Sequence, residues 1–487
     1  MINFIKKNLS NILIWGITLL FTALYVSLIF NINITTDEIF TLKTLKQNLT
    51  GMIQMTADDV HPPLYYFYAK LFDIFSPQNI HLQKIATIIP MTGTLIYVAT
   101  VVRKRIGDMA TFFALLMFTC MPCTMEYAVQ IRMYSLAILC VTVCVTSAYI
   151  AFTENKTYAW ILFVVSADAA AYLHYFSFVA VCYVVGFLFI CIILKLIRRQ
   201  DVTSSLKQLK YWGICVIAMI IIYLPWLPVF ISQVTRTRAG YWIAPIDGEV
   251  LWSYFTWAFD LELQPGFVYI LLAILSFTGI YGIIRIIILT RKNDKDTNLT
   301  NDIFAYLCML VPTLTTASGV IISLSKAPIF CGRYVIVAMM PLSIWWGIEF
   351  SHILKNKIGI VIAFIVSIIL LYSGAMQYRE CFYQEYRNGY AESTVHFFEA
   401  NLGDNDYVLY NYKAMEFVYD YYFPSDRLIY VEDFDFDCDY DNAWFLYTQN
   451  EWPVTYEDCA NHNLDMAYIG LYGVEGCNVD LFKISHR

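Results

Sequence analysis

The chain has 487 residues, of which 59% are hydrophobic and only 15% charged, with a mean hydropathy of +0.56. This composition excludes a soluble globular enzyme, because too few polar residues remain to cover a water-facing surface. The net charge of −7 is uneven: residues 377–487 carry 21 acidic and 6 basic side chains, so the preceding residues carry +8. The acidic tail argues against a nucleic-acid partner, whose phosphates it would repel.

Apolar stretches long enough to cross a membrane recur along the chain. A membrane span needs about 20 mostly apolar residues. The first stretch follows Lys6 and Lys7 and lacks a small-residue cleavage site. We therefore expect an uncleaved anchor whose N-terminus lies in the cytoplasm. Eleven spans are predicted, near residues 11–30, 85–102, 109–122, 134–152, 157–173, 176–196, 212–230, 267–289, 304–324, 334–350 and 358–376.

The charges of the loops alternate along the chain. Lysine and arginine concentrate in every second loop, as at 103–105, 195–210 and 291–295, whereas the intervening loops carry Asp and Glu. Positive loops face the cytoplasm, and an odd number of spans then places the C-terminus outside. The predicted fold class is a polytopic α-helical membrane protein, with a transmembrane domain over 1–376 and a small extracytoplasmic α/β domain over 377–487.

Two regions outside the spans have secondary-structure patterns of their own. The first extracytoplasmic loop, 31–84, contains two amphipathic helical patterns that we expect to lie in the membrane interface, at 38–46 and 64–75. The tail contains a helical pattern at 391–400 and alternating, strand-like segments at 407–410, 427–431, 444–447 and 467–471.

Polar motifs fall at the outer ends of the predicted spans. Each motif alone is explained by helix starts and by ordinary interfacial aromatic residues. Acids, bases and arginines gathered on one face indicate a functional site. The motifs are Asp37-Glu38, Asp59-Val-His61-Pro-Pro-Leu-Tyr-Tyr66, Gln130-Ile-Arg132-Met-Tyr134, His174-Tyr175, Leu224-Pro-Trp-Leu-Pro228 followed by Gln233, Arg236, Arg238, Tyr241 and Trp242, and Arg333-Tyr334.

Asp168 lies inside a predicted span, about one and a half helical turns below His174. An ionisable residue inside a membrane is costly, which makes it a functional candidate by default. The alternative is that Asp168 only pairs with a neighbouring helix.

In this order the motifs resemble the GT-C glycosyltransferases, and most of all the bacterial family-39-like branch related to protein O-mannosyltransferases and lipid A aminoarabinose transferases. The resemblance covers roughly residues 34–341. It implies that 1–376 is a catalytic domain in a bacterial inner membrane. The implied donor is a sugar on a polyprenyl phosphate, and the implied acceptor is a glycan, lipid or protein at the outer face.

The resemblance also implies roles for individual residues. Asp37 matches the catalytic base, with Glu38 beside it and Asp59 at the second acidic position. Aminoarabinose transferases carry Lys where His61 stands, at a position associated with the lipid phosphate. Arg132 and Arg333 are the better-charged candidates for that contact. The implied substrate-binding residues are His61, Arg132, Tyr134, His174, Tyr175, Arg333 and Tyr334.

The chemistry of such a transfer is consistent with this set. A lipid phosphate is already a good leaving group, so it needs cations more than a general acid, and arginine binds its oxygens bidentately. One carboxylate is enough to deprotonate the acceptor. A single displacement predicts inversion at the sugar carbon of a transferred hexose or pentose.

Other functions remain open from the sequence. The acidic run 432–441 contains Asp-x-Asp, for which a solvated loop is favoured over a weak calcium site. No cofactor is predicted, and metal dependence and disulfide bonds among the four tail cysteines stay open. The alternative function is a secondary transporter or a flippase or polymerase of lipid-linked glycans, although transporter sites usually lie near the membrane midplane.

Overall fold

A computed structural model describes residues 2–30, 34–237, 243, 245–257, 265–291, 299–325, 327–354, 357–383, 391–448, 459, 462–474 and 477–487. The chain separates into two compact units. The first contains residues 1–29 and 47–379, and the second contains residues 30–46 and 380–487. Thus part of the first predicted extracytoplasmic loop belongs to the same unit as the tail.

The first unit is helical. Its helices are α1 (Ile2–Ser27), then, after α2 (Thr36–Leu45) of the second unit, α3 (Leu49–Asp58), α4 (Leu64–Asp73), α5 (Ile80–Tyr97), α6 (Arg103–Ile106), α7 (Asp108–Cys120), α8 (Pro122–Val129), α9 (Tyr134–Glu154), α10 (Thr157–Ala171), α11 (Tyr175–Ile197), α12 (Val202–Tyr223), α13 (Leu227–Thr237), α14 (Gly248–Trp257), α15 (Pro265–Arg291), α16 (Leu299–Ser325), α17 (Met339–Ile353) and α18 (Lys357–Tyr383), whose last four residues belong to the second unit.

Among the described residues, eight helical stretches are long and apolar enough to cross a membrane. A ninth is added if α7 and α8 together form one span. The predicted polytopic helical fold is confirmed, whereas the predicted count of eleven spans is not. Helix α10 has only 15 residues, and the side chains of α15 are described only in part.

The predicted span near 109–122 has a different form from the one expected. Helices α7 and α8 meet at an angle of 71°. Met121 between them is extended, with φ −70° and ψ 128°, and Pro122 begins α8. Proline disfavours a helical residue before it but fits the first turn of a new helix, so this sequence bends the span.

A buried ion-pair cluster joins α15, α16 and α17. Arg285 binds Glu349 through two hydrogen bonds, Nε to Oε2 at 3.0 Å and Nη2 to Oε1 at 2.7 Å. Its Nη1 also donates to Asp302 Oδ1 at 2.6 Å. The Glu349 side chain is fully buried. Fork-shaped pairing of this kind is the strong geometry for arginine and a carboxylate.

The second unit contains a mixed five-stranded sheet. The strands are β1 (Tyr407–Tyr410), β2 (Leu428–Tyr430), β3 (Ala443–Tyr447), β4 (Leu464–Val474) and β5 (Cys477–His486). Their order is β2-β1-β3-β5-β4, with β1 parallel to β2 and β3, and with β5 antiparallel to β3 and β4. The helices α19 (Ala391–Asn401) and α20 (Glu416–Tyr422) complete the predicted α/β domain. Helix α20 and strand β5 were not predicted from the sequence.

Helix α2 is attached to α20 within this unit. Lys43 donates to the Asp420 carboxylate at 2.6 Å and to the Phe417 carbonyl at 2.8 Å. The same ammonium lies 4.0 Å from the centre of the Phe417 ring. These contacts explain why residues 30–46 belong to the second unit.

The cluster at Arg285 predicts a large stability effect. Glu349→Gln keeps the side-chain shape but removes the buried negative charge, so the free energy of unfolding should fall by roughly 3 kcal/mol. Asp465→Asn is the matched control, because its ion pair with Arg487 has side chains that are 64% and 50% exposed. That loss should be under about 1 kcal/mol. Thermal unfolding in detergent measures both, and equal losses would contradict a stabilising role for the cluster.

Candidate functional site

The turn between α3 and α4 is fixed by its sequence. Asp59 ends α3 in an extended conformation, with ψ −154°. The pair Pro62–Pro63 precedes α4, where proline fits the start of a helix. The Leu64 amide donates to the Tyr172 carbonyl at 3.1 Å, which holds the start of α4 beside the end of α10.

The last carbonyls of α3 are bound by two side chains of α13. Gln233 is almost fully buried, and its amide nitrogen donates to the Thr56 and Asp59 carbonyls, both at 2.9 Å. Arg236 donates to the Asp58 carbonyl at 3.0 Å. Carbonyls at a helix end lack partners within the helix, and these side chains supply them. The result is a rigid backbone beneath the side chain of Asp59.

Tyr175 extends this network. Its hydroxyl donates to the side-chain oxygen of Gln233 and accepts a hydrogen bond from Trp226 Nε1 at 3.2 Å. Tyr175 therefore orients the amide that binds the end of α3.

A polar cluster lies on this support. His61 Nδ1 is 2.8 Å from Asp59 Oδ2, so the ring donates to the carboxylate through that nitrogen. Arg132 is 2% exposed, and its Nη1 donates to the Tyr66 hydroxyl at 3.2 Å. Its Nη2 lies 3.4 Å from His61 Nδ1. Because Nδ1 faces Asp59, Nε2 is the nitrogen of His61 left for a further contact.

The surrounding charges affect the pKa of Asp59. Burial raises this pKa, but the charge and hydrogen bond of His61 and the charge of Arg132 outweigh burial and hold the pKa below its ordinary value. Asp59 is therefore a carboxylate near neutral pH. A carboxylate bonded in this way orients His61 and partly balances Arg132.

His174 forms the centre of an aromatic group beside the cluster. Its ring centre lies 5.7 Å from that of His61, 5.6 Å from that of Tyr134 and 5.0 Å from that of Tyr334. Its Nδ1 accepts a hydrogen bond from the Phe176 amide at 3.1 Å and caps α11. In the neutral ring the proton is therefore on Nε2.

The pKa of His174 is held well below its ordinary value, first by burial and then by electrostatic interactions with His61, Arg132 and Arg333. The two arginines act on the same ring, although they are about 200 residues apart in the sequence. The guanidinium carbon of Arg333 also lies 5.9 Å from the centre of the Tyr334 ring. The structure thus brings both arginines to one aromatic group.

An apolar groove is lined in part by sequence neighbours of Arg333. The groove has a volume of about 860 Å³ and is lined mainly by side chains of α14, α15, α16 and α17. Gly332 and Val335, which flank Arg333 and Tyr334, line it too. The short 3₁₀ segment Gly332–Ala338 therefore contacts the groove and the aromatic group.

Asp37 and Glu38 lie in α2 of the second unit. Glu38 is buried, and its Oε2 accepts hydrogen bonds from the Thr35 amide at 2.8 Å and the Thr35 hydroxyl at 3.0 Å. This is a capping box, in which the third residue of a helix binds back to the cap residue. This role of Glu38 was not predicted, although the Thr35-x-x-Glu38 pattern is its sequence signal. Asp37 is half-buried on the same turn.

Most of the predicted residues of the first unit converge. Asp59, His61, Arg132, Tyr134, His174, Arg333 and Tyr334 form the cluster and its aromatic group, and Tyr175 supports them from below. The contacts of Tyr66 with Arg132 and of Gln233 with α3 were not predicted as site contacts. Arg238, Tyr241 and Trp242 lie outside the described residues.

Within the described part of the chain, no three His, Cys, Asp or Glu side chains are grouped so that they could hold a metal ion. The histidines His61 and His174 and the acidic run at 432–441 lie within this part of the chain.

The fold of this chain is similar to that of solved protein structures. No family model and no curated protein matches the sequence. Among solved structures, the chain is similar to ArnT from Cupriavidus metallidurans, both bound to undecaprenyl phosphate and in the apo state. Each match has a TM-score of 0.54 at 10% identity and covers 97% of both chains. The chain has a GT-C-like membrane fold with a small C-terminal sheet domain, as its motifs predicted.

The lowered pKa of His174 predicts a pH effect on stability. The unfolded chain gains a proton on this histidine below about pH 6.5, whereas the folded chain does not. Stability should therefore decrease as the pH falls below 6.5, by up to about 1.4 kcal/mol per unit. His174→Asn keeps a helix cap but cannot titrate, so its thermal unfolding temperature should depend less on pH between 5 and 7.

The control for this experiment is His462→Asn, which changes an exposed histidine of the second unit. It should leave the pH dependence of the wild type unchanged. The same pH slope in wild type and His174→Asn would contradict a neutral buried His174.

Proposed function

We propose that the protein is a glycosyltransferase that takes its sugar from a polyprenyl-phosphate carrier. The observation that carries this proposal is the position of Arg333. Its charge, like that of Arg132, acts on the aromatic cluster around His174. Its neighbours Gly332 and Val335 line an apolar groove of about 860 Å³. Cations beside an apolar groove suit an amphiphile with an anionic head and a hydrocarbon tail. The fold likeness to ArnT, whose structure contains undecaprenyl phosphate, supports the same ligand class.

In this proposal the arginines stabilise the departing phosphate. As the bond between the sugar carbon and the phosphate oxygen breaks, negative charge grows on the phosphate. Guanidinium groups hydrogen-bond that charge more strongly in the transition state than in the ground state. Arg132 is buried and Arg333 is half-buried, which strengthens the electrostatic contribution. Tyr134 and Tyr334 would contact the sugar through their rings.

Asp59 and His61 act as a positioning pair. The Asp59 carboxylate fixes the tautomer and orientation of His61, so that Nε2 is the nitrogen available to the substrate. The carboxylate faces its own histidine, which makes Asp59 a poor candidate for deprotonating the acceptor.

We assign the general base to Asp37, on the resemblance in the order of the motifs. Neighbouring residues of a helix point to different faces, so Asp37 and Glu38 cannot share one role. The Glu38 carboxylate already caps α2. Direct attack of the activated acceptor on the sugar, in a single displacement, inverts the configuration of the sugar carbon.

We further infer that the reaction takes place at the outer face of a bacterial inner membrane. The positive loops assign the N-terminus to the cytoplasm, and the motifs then share the opposite side. The acceptor would be a glycan, a lipid or a protein that presents a hydroxyl or phosphate there.

Substitution of Asp37 tests this function. Asp37→Asn keeps the side-chain shape but cannot accept a proton, so transfer should fall by about 10²- to 10⁴-fold. Binding of the donor should survive, because its phosphate contacts are assigned to the arginines. The measurement is in vitro transfer from a synthetic polyprenyl-phosphate sugar, with donor affinity measured in parallel.

Glu38→Gln is the matched control, because glutamine also completes a capping box. It should cost much less activity than Asp37→Asn. Near-normal turnover by Asp37→Asn would show that Asp37 is not the general base. Failure of the wild type to consume any polyprenyl-phosphate sugar would overturn the function itself.

A further inference from the structure

A second cavity lies apart from the arginine cluster. It has a volume of about 360 Å³ and is enclosed by α10, α11 and α12 and the start of α13. Its walls are apolar except for Asp168, Tyr223 and Cys182. None of these three side chains has a role in the proposed transfer.

Each of the two oxygen-bearing side chains of this cavity has an oxygen without a hydrogen-bond partner within the described residues. Asp168 is 7% exposed and its Oδ2 has no partner, and the hydroxyl of Tyr223, 8% exposed, has none either. A polar group buried without a partner costs a protein several kcal/mol, and more in a membrane. Two such groups in one cavity indicate that a ligand completes their hydrogen bonds.

The position of the cavity restricts the route by which a ligand enters. Asp168 lies three residues before the end of α10, or about 4.5 Å along the axis, at the end that leads to His174. Ile220 and Leu224, which line the cavity, are 58% and 55% exposed. Both lie on the candidate span Val202–Arg236, and their exposed apolar faces are suited to contact with lipid. The cavity is therefore reached from the hydrocarbon, close to the level of the headgroups.

We propose that this cavity binds the headgroup of a membrane lipid that carries a primary ammonium. Asp168 is the complementary charge for the ammonium, which donates a charge-assisted hydrogen bond to the carboxylate. The Tyr223 hydroxyl donates to an oxygen of the same headgroup. A volume of about 360 Å³ holds a headgroup but not two acyl chains, so the chains lie along Ile220 and Leu224 in the bilayer.

The hydrogen bond makes this site selective. A quaternary ammonium has the same charge as a primary one but no N–H donor, so it offers the Asp168 carboxylate no hydrogen bond. A headgroup with hydroxyls but no positive charge lacks the electrostatic attraction. Phosphatidylethanolamine should therefore bind in preference to phosphatidylcholine and phosphatidylglycerol.

Native mass spectrometry of the purified full-length protein tests the proposal. The probes are the three lipids with identical acyl chains, added singly in equal amounts. The wild type should retain phosphatidylethanolamine about tenfold more than either other lipid, the scale of one charge-assisted hydrogen bond. Asp168→Asn should remove that preference, and Tyr223→Phe should weaken retention with the preference preserved.

Controls separate binding from folding. Asp404→Asn, at an exposed site in the second unit, should retain the wild-type preference. Asp168→Leu removes the unpaired oxygen, so it should keep or raise the thermal unfolding temperature of lipid-free protein while abolishing the preference. Equal retention of the three lipids by the wild type, or an unchanged preference in both Asp168 variants, would overturn the proposal. The result is independent of transfer activity.

Discussion

The hydrogen bond between Asp59 and His61 organises the polar cluster of the first unit. It links a carboxylate on a rigid turn to a ring that faces Arg132. The turn is rigid because the Gln233 side chain donates hydrogen bonds to backbone carbonyls at the end of α3 that have no partner within the helix. Without the negative charge of Asp59, the buried guanidinium of Arg132 would lose a counter-charge in a medium of low dielectric constant. The arrangement of the aromatic group around His174 depends on this balance.

The segment Gly332–Ala338 explains how one chain can serve a charged head and a hydrocarbon tail. A 3₁₀ helix has three residues per turn, so Gly332 and Val335 share a side and both line the groove. Arg333 and Tyr334 lie on other sides of this helix, and the Tyr334 ring packs against His174. An α-helix would spread these residues differently. The proposed division of the ligand between head and tail follows from this local geometry.

The sequence predicted what local patterns determine. Helices α9 and α11 begin within one residue of their predicted starts, because long apolar runs and polar ends define them. The bend at Pro122 was missed, since hydropathy alone does not register a break within an apolar run. From the sequence, Asp59, Arg132, His174 and Arg333 could be placed only on the same face of the membrane, and their mutual contacts could not be predicted. The contacts of Gln233 with α3 join residues more than 170 positions apart, and no local pattern encodes them.

The central claim is that Arg333 holds the phosphate of a polyprenyl carrier whose tail lies in the groove. Affinity of the purified protein for undecaprenyl phosphate and for undecaprenol tests it most directly. The wild type should bind the phosphate at least about tenfold more tightly than the alcohol, and Arg333→Gln should lose that difference while binding the alcohol as before. Arg427→Gln, in the second unit, should behave as the wild type. Equal affinity of the wild type for the two lipids, or an undiminished difference in Arg333→Gln, would contradict the claim.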